Sequence, residues 1–375
     1  MLLLIVLALL TALLAPPLIY YAWMKSKTRK SWGLMINSSY QPKVTLIIPT
    51  YNEASVIGKK LENTQQIDYP EDKLQVILVD SASTDDTLGV CERFLEKNSL
   101  PFPIKLLHEE KRMGKSHALN KALEYAEGEI IAISDADSFW EPDSLRKIVP
   151  FFSDPSVGAV TGREELINLE QTIHTLSEGV YRKFYYTLRL GESKVHSTLI
   201  FQGELSLYRR SVLEKFEDRA GYSDDTGTVI NIVSRGYRCI FIPEAVFHDT
   251  AAYSLHGRLV LKSRRAQHLI AGILESVKFK IQRKLPLSLA IVLFNFYMHV
   301  ISPLLLISTA LMVVLYLHTF WYLIPLLVIL PLLFKKSRNF IISYLTGNVA
   351  LIIGLIRHIR GKKEATWRKV EEMRV

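Results

Sequence analysis

A chain of 375 residues has room for two or three domains. Its hydrophobic share of 49%, mean hydropathy of +0.16 and net charge of +9 are unlike a freely soluble enzyme, and the apolar excess lies at the two ends. Basic runs flank those ends (Lys25, Lys27, Arg29 and Lys30; Lys278, Lys280, Arg283 and Lys284; Lys335, Lys336 and Arg338), a pattern of cytoplasmic membrane surfaces rather than nucleic-acid patches, and the two cysteines, Cys91 and Cys239, exclude a disulfide framework or a zinc site.

Residues 1–24 are almost wholly apolar and long enough to cross a bilayer once. A secretory signal carries its positive charge before the apolar core, whereas here it follows from Lys25 onward. The expectation is an uncleaved anchor, with Pro16 and Pro17 as a possible kink and the chain beyond residue 30 in the cytoplasm; a cleaved signal is the alternative.

Residues 43–254 read as an α/β domain. Strand patterns at 44–50, 74–80, 101–107 and 130–133 alternate with helical ones near 54–66, 87–97 and 115–126, which predicts a mostly parallel sheet with helices on both faces. In such sheets ligands gather at the carboxyl ends of the strands. Three features converge there. Asp80 ends the second strand, where a carboxylate can meet a nucleobase or ribose, or serve only as a cap. Arg112 and Lys115 lie in a glycine-containing turn before a helix, a setting for phosphate or for solvated charge. Asp135 and Asp137 leave the fourth strand at i and i+2, so both can reach one hard divalent cation; on its own the pair could equally cap a loop.

Taken together, residues 49–53 (Pro49, Thr50, Tyr51, Asn52, Glu53), 79–87, 114–120 and 135–137 (Asp135, Ala136, Asp137) resemble, in order and spacing, the inverting family-2 glycosyltransferases of the GT-A fold. The resemblance covers about residues 43–270. It implies sugar transfer from a nucleotide-diphosphate donor with Mn2+ or Mg2+. It would put Pro49, Thr50, Glu53 and Asp80 around the nucleotide, Lys115 near the phosphates, Asp135 and Ala136 near the donor, and Asp137 on the metal.

Farther along, 145–152 reads as a helix, 158–161 as a short strand and 166–190 as a long helix, either core-packed or interfacial, with Tyr181, Tyr185 and Tyr186 beside its apolar stripe. Residues 201–210 resemble the family's acceptor segment, with Gly203 and Glu204 on the acceptor side. Asp224 and Asp225 then open a helix. The resemblance makes Asp225 the general base that takes the acceptor hydroxyl's proton. The structural alternative is that one of the two, Asp224 by preference, is only the helix cap. His248 has two readings, as a metal or diphosphate ligand and as a structural histidine.

Residues 255–284 form a basic amphipathic interface segment. Cellulose-synthase-like enzymes carry Gln-x-x-Arg-Trp about here; Arg265 matches the arginine, which would meet the diphosphate, while Lys262 and Ala266 replace the glutamine and tryptophan. That departure weighs against processive synthesis. Residues 285–334 are apolar over about two crossings at ~20 residues each and predict a transmembrane hairpin turning near His318 and Thr319, with both basic ends in the cytoplasm. Residues 340–356 are a fourth span or a re-entrant or interfacial helix.

The resulting expectation is a multi-pass cell-membrane protein with a cytoplasmic catalytic domain, similar to a reduced cellulose-synthase-like enzyme. It would move a hexose, with GDP-mannose favoured, onto a polyprenyl-phosphate-linked glycan, and it needs no nucleic-acid partner. The rival expectations are a processive polysaccharide synthase, a non-catalytic nucleotide-sugar-binding subunit, and a membrane-interaction or transport protein whose acids are structural.

Overall fold

The computed structural model describes residues 2–98, 100–316 and 333–361. One eight-stranded sheet organises the central part. Its strands are β1 (Val44–Thr50), β2 (Leu74–Asp80), β3 (Ile104–His108), β4 (Ile130–Ile133), β5 (Phe139–Trp140), β6 (Val157–Leu166), β7 (Ser206–Arg209) and β8 (Arg238–Asp249), in the spatial order β3-β2-β1-β4-β7-β6-β8-β5. The pairs β1–β2, β2–β3, β1–β4 and β6–β8 are parallel, as the strand–helix alternation predicts, while β7 runs antiparallel to both β4 and β6.

Strand side chains alternate between faces, so the continuous apolar runs are buried twice. Leu46, Ile48, Val76 and Leu78 pack on one face with Ile57 and Leu61 of α2 (Ile57–Gln65) and Cys91 of α3 (Thr87–Lys97). Ile47, Ile77, Val79 and Ile131 pack on the other with Leu119 and Ala122 of α4 (Lys115–Leu123). Between β5 and β6, α5 (Ser144–Ile148) tightens into a 3-10 turn over Val149–Ser153, where Pro150 has no N–H for the α-helical ladder.

The helix expected over 166–190 begins later. Leu166 is still in β6, paired in parallel register with Asp249, so strand pairing prevails there over helical spacing. The helix, α6 (Ile173–Val195), starts at Thr172 and Thr175, whose hydroxyls each accept the other's backbone N–H at 3.2 and 3.0 Å. It lies between the sheet and the apolar helices. Tyr186 stacks on Phe241 of β8 at 5.6 Å, and Phe184 stacks on Tyr21 of α1 (Leu2–Lys27) at 5.1 Å. At Gly191 the approach is close: a Cβ there would lie 2.5 Å from the backbone oxygen of Met24. α1 runs unbroken through Pro16 and Pro17.

After β7 come α7 (Thr226–Ser234), β8 and α8 (Leu255–Ile281), then α9 (Leu289–Phe296), a π-helical turn (Tyr297–Ile301) and α10 (Ser302–Leu315) as one rod, and finally α11 (Lys335–Ile359). The segments Leu4–Lys27, Leu289–Leu315 and Ser337–Ile359 are long and apolar enough to cross a membrane. The expected turn at His318 and Thr319 lies outside the described residues.

Candidate active site

Register brings the site together. Thr50 stands opposite Asp80 at the carboxyl ends of β1 and β2, and Ile47 stands opposite Ile133, so Asp135 and Asp137 emerge just beyond the same edge. Because β7 is antiparallel to β4, with Ser206 opposite Ile133, the preceding Gly203 and Glu204 arrive there as well.

Lys115 is the hub of this edge. It follows Gly114, whose φ of +102° is a backbone conformation suited to glycine, and it begins α4. Its ammonium lies 2.6 Å from Asp135 Oδ1 and 3.4 Å from Asp224 Oδ2. Burial disfavours its charge, but Asp135, Asp224 and Glu204 outweigh burial and hold it well above the usual lysine range. Gly203 faces the same point: a Cβ on it would lie 3.4 Å from Lys115 Nζ and 3.6 Å from Asp225 Oδ2. Arg265 of α8 donates to Glu204 Oε1 at 2.9 Å, and the Arg112 guanidinium lies 3.7 Å over the Tyr51 ring.

The two adjacent acids differ from the sequence expectation in one respect. Asp225, not Asp224, caps α7, accepting the Thr226 N–H at 2.5 Å. Asp224 turns to Lys115 instead, and burial, reinforced by Asp225 and Asp135 against the pull of Lys115, pushes its pKa up.

One cavity of about 630 Å³ is lined by Pro49, Thr50, Glu53, Arg112, Lys115, Asp135, Ala136, Asp137, Gly203, Glu204, Asp224, Asp225 and Arg265. Two expected site residues are not brought to it. Asp80 is 1% exposed; its carboxylate accepts from the Ser83 N–H at 3.2 Å and the Ser83 hydroxyl and pairs with His108 Nδ1 at 3.0 Å, so it shapes the loop after β2. His248 points away, 3.6 Å from Glu141.

Comparison with known proteins gives the same answer. Residues 45–216 match the model of glycosyl transferase family 2. A mannosyltransferase from Pyrobaculum calidifontis, solved in complex with GDP-Man and Mn2+, is 33% identical, with a TM-score of 0.83 over 97% of this chain and 100% of that one. The chain belongs to glycosyl transferase family 2. A probable glycosyltransferase of Bacillus subtilis is 30% identical over 56% of this chain and 51% of its own, and a beta-monoglucosyldiacylglycerol synthase of Synechocystis is 33% identical over 37% and 29%. This family-2 chain thus aligns with about half the length, or less, of these curated relatives.

Two residues of this family-2 site escaped the sequence reading. Asp249, beside His248 on β8, lies on the opposite face of the strand and therefore lines the cavity. Burial, with Asp137 and Glu204 adding to it, pushes its pKa up to about 8. Lys60 of α2 is 1% exposed and donates to Ser134 Oγ and the Ser138 carbonyl, both at 2.6 Å, so it clamps the loop that carries Asp135 and Asp137. Burial lowers it to about 7 against the pull of those two acids. The available signal was a lysine inside the helical stripe of Ile57 and Leu61.

The donor chemistry fits a hard divalent cation. Asp135 and Asp137 both line the cavity, with Asp249 an electrostatic neighbour of Asp137, and Mg2+ or Mn2+ commonly combines one or two carboxylates with substrate phosphates. Among the described residues there is no group of three or more His, Cys, Asp or Glu side chains placed to hold a metal ion.

Proposed function

We propose that this family-2 protein transfers a hexose, most simply mannose from GDP-mannose, with inversion onto a lipid-linked glycan at the cytoplasmic membrane face. The observation that carries the acceptor half is the reach of the cavity. From Asp135 and Asp225 it extends between the apolar helices, past Leu14 and Leu18 of α1, Met298 and Ser302 of the α9–α10 rod, and Phe340 and Leu351 of α11. An acceptor held on a membrane lipid could present its sugar to the carboxylates from there. The donor half is supported by the likeness to the Pyrobaculum mannosyltransferase and its GDP-Man and Mn2+.

In this reading Asp225 takes the acceptor hydroxyl's proton as that oxygen attacks the anomeric carbon opposite the leaving nucleotide. Lys115 and Arg265 hold the diphosphate, leaving their present partners Asp135 and Glu204 to do so. Asp135 and Asp137 hold the divalent ion, which supplies Lewis-acid neutralisation of the leaving group. Pro49, Thr50 and Glu53 wall the nucleotide, and Gly203 leaves room for the acceptor sugar beside Asp225. The basic residues at both ends of the apolar tract 285–334, Arg283 and Lys284 before it and Lys335 and Lys336 after it, support a cytoplasmic catalytic domain.

The test is the thermal midpoint of the detergent-purified protein with GDP-mannose, UDP-glucose and UDP-N-acetylglucosamine, each with and without Mn2+. A ligand that binds only the folded state stabilises it by about 2.7 kcal/mol at a hundredfold excess over Kd. GDP-mannose should raise the midpoint with Mn2+, and Asp137→Ala should lose the effect. A larger shift with a UDP-sugar would replace the donor assignment.

A further inference from the structure

The membrane-side extension of the cavity holds a cation that the transfer reaction described above does not use. Arg189 of α6 lines it and is 9% exposed. Its Nε and Nη1 are buried and meet no hydrogen-bond partner among the described residues. Other cations on the cavity wall are matched: Arg182 pairs with Glu164 and with Glu178, Lys262 with Glu178 at 2.9 Å, Arg265 with Glu204, and Lys115 with Asp135. The acid one turn along α6, Glu192, is already occupied by the Tyr20 hydroxyl, Asn295 Nδ2 at 2.9 Å and the Thr198 hydroxyl at 2.7 Å.

A guanidinium cannot shed its proton to escape burial, so an unmatched one is a costly feature to keep. Its planar fork suits a phosphate, bound through two parallel N–H donors. The walls indicate what the phosphate is attached to. Leu13, Leu14 and Leu18 of α1 and Leu351 of α11 are apolar, and Tyr185, one turn from Arg189, lies 3.5 Å through its hydroxyl from His299 Nε2 on the α9–α10 rod. A polar level beneath an apolar chamber fits a phosphate on a long hydrocarbon chain. The site is also separate from the donor's diphosphate: Arg182 neighbours Arg265, Asp249 and Glu204 electrostatically, and Arg189 stands about 10 Å farther along α6, at 1.5 Å per residue.

We propose that Arg189 binds the phosphate of a phosphorylated single-chain lipid whose hydrocarbon lies between α1, the α9–α10 rod and α11. This deepens the lipid-acceptor reading and rests on it: Arg189 anchors the carrier while the attached glycan reaches Asp225.

The probe is farnesyl phosphate, added to the full chain in a phosphate-free maltoside detergent. Thermal midpoints are compared for the wild type, Arg189→Met and Arg189→Lys, with farnesol, inorganic phosphate, dioleoyl phosphatidate and GDP-mannose plus Mn2+ as the other arms. Farnesyl phosphate should bind the wild type and farnesol should not; Arg189→Met should weaken binding at least tenfold, and Arg189→Lys less. Ligand-free Arg189→Met should melt close to the wild-type midpoint, the lost attraction for Glu192 offsetting the removal of a buried guanidinium whose Nε and Nη1 meet no hydrogen-bond partner. Equal binding of farnesyl phosphate by Arg189→Met would overturn the proposal, as would equal binding of farnesol and farnesyl phosphate by the wild type, which needs no variant to fold. Inorganic phosphate binding as tightly as farnesyl phosphate would mark a free-anion site, and tighter binding of phosphatidate a bulk-lipid headgroup site; either overturns the single-chain assignment. GDP-mannose tests the other reading separately. If it fails to shift any form while farnesyl phosphate shifts the wild type, the donor reading fails and the Arg189 site stands.

Discussion

Gly354 of α11 and Ala266 of α8 meet so closely that a Cβ built on the glycine would stand 2.8 Å from the Ala266 Cβ and 2.8 Å from the Gln267 backbone nitrogen. This contact leaves no room at Ala266 for a large side chain, because α11 occupies the space. Gly354→Ala should push the helices apart and lower stability by about 1–3 kcal/mol, the usual cost of overpacking. Gly347→Ala is the control, since its Cβ would meet Tyr181 at an ordinary 3.8 Å. Thermal unfolding in detergent should show a loss for the first and little change for the second; equal losses would contradict the close contact.

Asp249 gives the site a pH dependence with a defined sign. Its carboxyl titrates near about 8 in the folded chain, against about 3.9 in an unfolded one. Between those values the folded state binds the extra proton, so this contribution is full below about pH 4 and is lost as pH rises through 8, at no more than about 1.4 kcal/mol per pH unit. In EDTA, the wild type should lose stability from pH 6 to pH 8, and Asp249→Asn should flatten that slope. A slope unchanged by Asp249→Asn would place the titration elsewhere.

Ala82, in the loop after β2, has a φ of +55°. A left-handed conformation costs an L-residue roughly 1–2 kcal/mol, and glycine's extra unfolded-state freedom returns about 0.5–1 kcal/mol of that. Ala82→Gly should therefore raise stability by roughly 0.5–1 kcal/mol, measured as a higher thermal midpoint. A lower midpoint would mean that the Ala82 side chain contributes packing that outweighs the strain.

Much of the fold was legible because its strands are short, β-branched and cut off by turn residues, as at 130–133 before Asp135. The start of α6 was not, because Leu166 fits a helical stripe as well as a strand, and only the partner Asp249 decides between them. At the site, the motif residues at 49–53, 114–120 and 135–137 stood out through their resemblance to family 2, and strand register gathers their strand ends at one sheet edge. The division of labour between Asp224 and Asp225 was not, since adjacent acids look alike until a helix N–H and Lys115 claim one each. Asp249 was passed over for its neighbour His248 because the face each presents depends on β8 pairing. Arg189 carries no motif at all; its interest comes from partners that other side chains have already taken.

The most direct measurement is transfer of radiolabelled mannose from GDP-mannose, with Mn2+, into the lipid-extractable fraction of membranes supplied with polyprenyl-linked glycan. Wild type should label that fraction. Asp225→Asn should abolish the label while still showing the GDP-mannose thermal shift. Label in Asp225→Asn at the wild-type rate would contradict the base assignment, and wild-type label that stays in a water-soluble product would contradict transfer to a lipid-linked acceptor.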